Sequence, residues 1–125
     1  MAIRSKLTRN KIAKDLFKMG CYEISLGDTT GKGTPEQTLE VVKECLKYLS
    51  ADKLAGHFHD TYQNALDNIN VCLENGMKTF DASVGGLGGC PYSPGAKGNV
   101  ATEKVNNLLL SKGYETNLDS CLLYT

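Results

Sequence analysis

A chain of 125 residues fits one domain and can bury a modest core. Its 14 basic and 14 acidic side chains cancel, so no broad field argues for nucleic acid or a membrane surface as partner, and the longest apolar runs fall far short of a membrane span. The five cysteines, Cys21, Cys45, Cys72, Cys90 and Cys121, form neither CxxC pairs nor a disulfide framework, which points to a reduced, intracellular protein.

The opening MAIRSKLTRNK is basic but lacks the apolar core and cleavage site of a secretory signal. Over 10–19, Ile12, Leu16 and Met19 recur at helical spacing with Phe17 beside them, and Gly20 is the expected stop. CYEISL (21–26) reads as a strand that ends at Gly27-Asp28-Thr29. After the loop TTGKGTP, Thr34 is the expected N-cap and Pro35 the first residue of a helix over 35–49, with Leu39, Val42, Leu46 and Leu49 as its apolar stripe. LAGHF (54–58) is the second strand. A helix over 63–74 follows, with Ala65, Leu66, Ile69 and Leu73 on one face and Asn75-Gly76 as its end. The third strand covers 78–84, and a helix over 100–110 has Thr102 or Asn99 near its cap and Gly113 beyond it. The tail YETNLDSCLLYT reads as the possible start of one more helix.

Strands alternating with helices mean βαβ units and a parallel sheet, so the fold class is α/β, with parallel strands and flanking helices. Each polar cluster falls just after a strand, as in a (β/α)8 barrel or a doubly wound sheet. No GxGxxG follows the first strand, which weighs against a dinucleotide fold.

Three clusters could carry chemistry. His57 and His59 are two apart at a strand end and project to one face, a natural pair of divalent-metal ligands, with Asp60 beside them as a source of charge or supporting hydrogen bonds. A pair of surface histidines is the plain alternative. Asp28 ends the first strand, where a turn aspartate and an acid–base residue are equal readings. The third cluster is TFDASVGGLGGCPYSPGAKGN (79–99), which has four glycines in five residues, Gly85, Gly86, Gly88 and Gly89, immediately before Cys90. Glycines at that density mark backbone in unusual conformations or close to a ligand, and a thiol at the tip is placed to react rather than to pack. A surface turn with an incidental cysteine is the competing reading.

SVGGLGGCPY closely resembles the active-site loop of the 3-hydroxy-3-methylglutaryl-CoA lyase family. CYEISLGDTTGKGTP, HFHDTY and PGAKGNVATE resemble the same family in the same order, so the likeness runs from about residue 11 to 113. The resemblance implies the C-terminal portion of a TIM barrel, about its last three βα units, with residues 1–125 a single fragment of that catalytic domain. It implies metal-dependent retro-Claisen cleavage of 3-hydroxy-3-methylglutaryl-CoA, an acyl-CoA thioester, to acetyl-CoA and acetoacetate. His57, His59 and Asn99 match ligands of Mg²⁺ or Mn²⁺. Cys90 and Asp28 match catalytic residues, and Thr29, Gly88 and Gly89 match substrate-facing loop positions. Lys97 could meet a phosphate of coenzyme A, although a solvated lysine is the default reading. No separate organic cofactor is implied, and the compartment would be a bacterial cytoplasm or a mitochondrial matrix.

The family's Arg-Asp pair on its first strand, and an early catalytic glutamate, have no counterpart in the sequence. The expectation is therefore an incomplete enzyme, with self-association or another chain supplying the missing strands. Two rival readings stand beside it. One is a related aldolase or Claisen-condensing synthase, against which the GGCPY loop argues. The other is a non-catalytic remnant acting as a binding or assembly module.

Overall fold

The computed structural model describes residues 6–89 and 98–123. In chain order the elements are α1 (Lys6–Lys18), β1 (Ile24–Asp28), α2 (Pro35–Leu46), β2 (Leu54–Phe58), α3 (Ala65–Glu74), β3 (Thr79–Asp81), α4 (Thr102–Ser111) and α5 (Ser120–Leu123). The three strands form one parallel sheet in the order β1-β2-β3. No helix among the described residues is long and apolar enough to cross a membrane.

Local chemistry explains most boundaries. Thr34 caps α2: its hydroxyl accepts from the Gln37 N–H at 3.3 Å, the Gln37 side chain accepts from the Thr34 N–H at 3.2 Å, and Pro35 opens the helix. Gly20, Gly76 and Gly113 follow α1, α3 and α4 at positive φ, where a glycine ends a helix without strain. Other expectations shift. α1 begins at Lys6, and β1 starts at Ile24 rather than Cys21. α2 stops at Leu46, leaving Leu49 buried in the following turn. Ala101, not Thr102 or Asn99, is the N-cap of α4.

β3 is only three residues long because its neighbour changes. Beyond Asp81 the chain pairs with residues near 100: the Ser83 N–H donates to the Val100 carbonyl at 3.1 Å and the Thr102 N–H to the Ser83 carbonyl at 2.9 Å. The α1 stripe also departs from expectation. Among the side chains described there Ala13 is buried, whereas Ile12, Leu16, Phe17 and Met19 are all exposed.

The register puts two kinds of side chain on opposite faces of the sheet. Ile24 and Leu26 of β1, Leu54 and Phe58 of β2 and Phe80 of β3 face the helices. They join Val42, Cys45, Ile69, Cys72 and Met77 in one core. The alternate positions Ser25, His57 and Asp81 carry polar groups on the other face, where Ser25 and Asp81 are exposed and His57 is partly so.

Burial pushes the Cys72 thiol from an ordinary 9.0 up to about 12, and burial, followed by the charge of Glu44, raises that of Cys45. For Cys72 the folded chain holds its proton to about 12 while the unfolded chain loses it near 9.0. Its contribution to stability is thus complete below the unfolded value and is lost as pH rises through the window between the two. In urea titrations the unfolding midpoint is expected to fall across that window, and to fall less steeply in Cys72→Ala. An equally steep fall in the variant would count against this assignment.

Candidate functional site

β2 delivers the two histidines. His57 lies within the strand, and His59, just beyond it, forms an antiparallel bridge with Asn99. His59 is buried, whereas the His57 side chain is 40% exposed on the open face of the sheet. Their rings converge, with the two Nε2 atoms 3.4 Å apart and the centroids 5.4 Å apart. The other nitrogen of His57, Nδ1, stands 3.1 Å from Oδ2 of Asp81, its register partner on β3. The same carboxylate oxygen accepts from the Ser25 hydroxyl on β1 at 3.3 Å. The Nδ1 atom of His59 is buried and has no hydrogen-bond partner among the described residues.

This donor set suits a divalent cation. Two nitrogens bound to one ion at about 2.0–2.1 Å, in neighbouring coordination positions, lie roughly 3.0–3.4 Å apart, which matches the spacing of the Nε2 pair. Asn99 stands beside His59 and donates its side-chain N–H to the Leu87 carbonyl at 3.0 Å, so its amide oxygen is the atom a cation would use. Among the described residues no group of three or more His, Cys, Asp or Glu side chains could hold a metal ion. Two imidazoles and one amide oxygen make an open set that leaves positions for other oxygen ligands.

Asp28 and Asp60 hold backbone. Asp28 accepts from the Gly31 N–H at 3.1 Å on Oδ1 and from the Gly33 N–H at 2.8 Å on Oδ2, which folds the loop after β1. Thr29 is exposed in that turn. Asn68, fully buried on α3, ties the same loop down by donating to the Gly33 carbonyl at 3.0 Å. Asp60 does not support the histidines. Its Oδ1 accepts from the Ala65 N–H at 3.3 Å at the start of α3, and its Oδ2 pairs with Lys104 at 3.3 Å. Asp81 takes the place expected of Asp60, because cross-strand register rather than chain adjacency decides what faces His57.

The glycine-rich segment is held at both ends. Gly85 and Gly86 turn at φ 64° and 68°, and the buried carboxylate of Glu103 accepts from the Gly85 N–H through both oxygens, at 2.9 and 3.0 Å. Gly98, at φ 86°, approaches so closely that a Cβ there would collide with the Gly88 carbonyl. Its own carbonyl accepts from the Asp60 N–H at 3.1 Å, and the Val100 N–H donates to the Phe58 carbonyl at 3.3 Å. Gly88 adjoins Asn99, and Gly89 is exposed. Cys90 and Lys97 lie outside the described residues. Sequence reasoning missed Asp81, Ser25 and Glu103. For the first two, the available signal was their alternation with the core-facing positions of aligned parallel strands.

The HMGL-like family model matches residues 5–125. The chain is 54% identical over 109 residues to a protein of Pseudomonas mevalonii named hydroxymethylglutaryl-CoA lyase, covering 87% of this chain and 36% of that protein. Its fold superposes on the HMG-CoA lyase of Brucella melitensis with a TM-score of 0.91 and 50% identity, covering 95% of this chain and 42% of the other. A third relative is an Acinetobacter baumannii HMG-CoA lyase in complex with coenzyme A and 3-methylmalate. It has a TM-score of 0.88 and 38% identity, over 95% of this chain and 39% of its own. The chain therefore spans about two fifths or less of the relatives it matches.

Replacing Gly98 by alanine tests the pinch at the base of the loop. The positive φ alone is expected to cost about 1–3 kcal/mol, with the collision at Gly88 in addition. Gly27→Ala is the control, since a Cβ there meets nothing within 4 Å. Equal unfolding midpoints in urea for the two variants would refute the pinch.

Proposed function

Because the chain belongs to the HMGL-like family, we propose that it carries the C-terminal part of a metal-dependent lyase that cleaves 3-hydroxy-3-methylglutaryl-CoA to acetyl-CoA and acetoacetate. Its three βα units would be the last three of a TIM barrel, with the open face of the sheet turned toward the barrel axis. The observation that carries this reading is the convergence of His57 and His59 at the C-terminal end of β2, the end at which barrel enzymes place their chemistry.

In this reading His57, His59 and Asn99 hold Mg²⁺ or Mn²⁺, which when bound supplies Lewis acidity toward oxygens of the substrate. The other steps belong to the chain. Cleavage needs a base to take the proton of the C3 hydroxyl and an acid to protonate the departing acetyl-CoA carbanion. Cys90 is assigned to proton transfer, with the glycine segment bringing its thiol to the substrate. Asp28 is assigned an acid–base role as well and Thr29 a contact with substrate; the Asp28 carboxylate orders the loop after β1. Gly88 and Gly89 allow the acyl-CoA thioester to approach the backbone closely. The coenzyme A complex of the Acinetobacter relative supports an acyl-CoA as the substrate class.

The proposal also fixes what the chain does alone. No residue here corresponds to the arginine, aspartate and glutamate that the lyase family supplies from earlier strands. Their loss is expected to lower turnover by on the order of 10³-fold or more relative to a full-length relative. The test is cleavage of 3-hydroxy-3-methylglutaryl-CoA with Mn²⁺ by the chain and by Cys90→Ala. Weak activity that vanishes in the variant is expected. Activity that persists without the thiol would remove Cys90 from the mechanism, and turnover equal to that of a full-length relative would contradict the incomplete barrel.

A further inference from the structure

A carboxylate contact sets this site apart from a simple pair of histidines. A carboxylate can only accept a hydrogen bond, so the 3.1 Å contact from Asp81 Oδ2 requires the proton of a neutral His57 ring to sit on Nδ1. That assignment leaves a lone pair on Nε2, and Nε2 is the atom facing His59. An exposed imidazole in water favours the opposite tautomer, with its proton on Nε2, which leaves that nitrogen no lone pair for a metal. His57 is 40% exposed and Asp81 54% exposed, so packing does not fix either ring or carboxylate. Two hydrogen bonds do: one from His57, and one from the Ser25 hydroxyl to the same oxygen at 3.3 Å. The three residues come from three adjacent strands, with His57 opposite Asp81 in the register and Ser25 on the far strand.

We infer that Asp81, held by Ser25, is a positioning residue that sets the tautomer and direction of His57 for metal binding. This rests on the metal-site reading above. A carboxylate that orients a ligating histidine also makes its free nitrogen more basic, and removing such a partner usually costs about 10–100-fold in metal affinity. Glu103, the other carboxylate near the loop, contacts the Gly85 backbone and does not share this role.

The experiment uses the full chain and four variants, Asp81→Ala, Asp81→Asn, Ser25→Ala and His57→Ala, and needs no turnover. Long-range ¹H–¹⁵N spectra recorded without metal at about pH 8.5, well above the usual histidine range, report which ring nitrogen carries the proton. Mn²⁺ binding is followed by the electron paramagnetic resonance signal of the free ion. The Nδ1–H form of His57 is expected in the parent, with a shift toward Nε2–H in Asp81→Ala. Mn²⁺ affinity should fall about 10–100-fold in Asp81→Ala. Asp81→Asn, which keeps an acceptor oxygen, should recover part of both, and Ser25→Ala should show a smaller loss. If His57→Ala abolishes Mn²⁺ binding while Asp81→Ala leaves tautomer and affinity unchanged, the inference fails and the metal site stands. If the parent binds no Mn²⁺, or binding survives His57→Ala, the metal site falls and this inference falls with it. The urea midpoint of each variant separates these outcomes from unfolding.

Discussion

His57 stands between Gly27 on β1 and Asp81 on β3, and that parallel register is the constraint from which the rest of the site follows. Slipping one strand by a single residue would carry every polar group of that strand to the helix-covered face. The polar contacts are too weak to prevent this alone, since a typical hydrogen bond is worth about 0.5–1.5 kcal/mol net. The opposite face is much stronger. Turning Leu54 and Phe58 out of the core would forfeit roughly 1.5–3 kcal/mol for each side chain. Gly56 tightens the lock, because a Cβ there would lie 2.7 Å from the Phe58 ring and 3.1 Å from that of Phe80. Apolar packing on one side of the sheet therefore aligns the polar groups on the other.

The loops at the strand ends share one device. Asp28, Asp60 and Glu103 each use a carboxylate to gather backbone N–H groups that have no partner in a helix or strand. Asp60 and Glu103 do so near the starts of α3 and α4, where the helix dipole also favours negative charge. These anchors hold the loop after β1, the turn after β2 and the entry to the glycine segment in one arrangement around the histidines. Gly33 shows how tight the first anchor is, since a Cβ there would lie 2.8 Å from the Asp28 carboxylate.

Features that depend on neighbours in the chain were legible in the sequence. The Thr34 cap, the glycines after α1, α3 and α4, the strand LAGHF and the two-residue spacing of the histidines are all local, and the structure has them where local chemistry places them. Features that depend on cross-strand partners were not. HFHD offers Asp60 as the carboxylate beside the histidines, yet it turns away to α3, and Asp81, 24 residues from His57, occupies that place. TFDASV reads as a longer strand than the three residues that pair with β2, because the segment at Val100 captures the chain from Ser83 onward. The apolar spacing of α1 gives a helix but not its burial, since Leu16 and Phe17 have no core against them among the described residues.

The two histidines are positioned by different physics. His59 is buried, with its backbone bridged to Asn99, so steric enclosure limits its ring. Its Nδ1 has no hydrogen-bond partner among the described residues. His57 has no such enclosure, and an exposed side chain retains rotamer freedom that must be given up on binding a ligand. Asp81 and Ser25 remove that freedom in advance without covering the ring. One face of His57 thus stays open, with its Nε2 turned to that of His59. Burying both rings would have fixed them equally well and closed the way in.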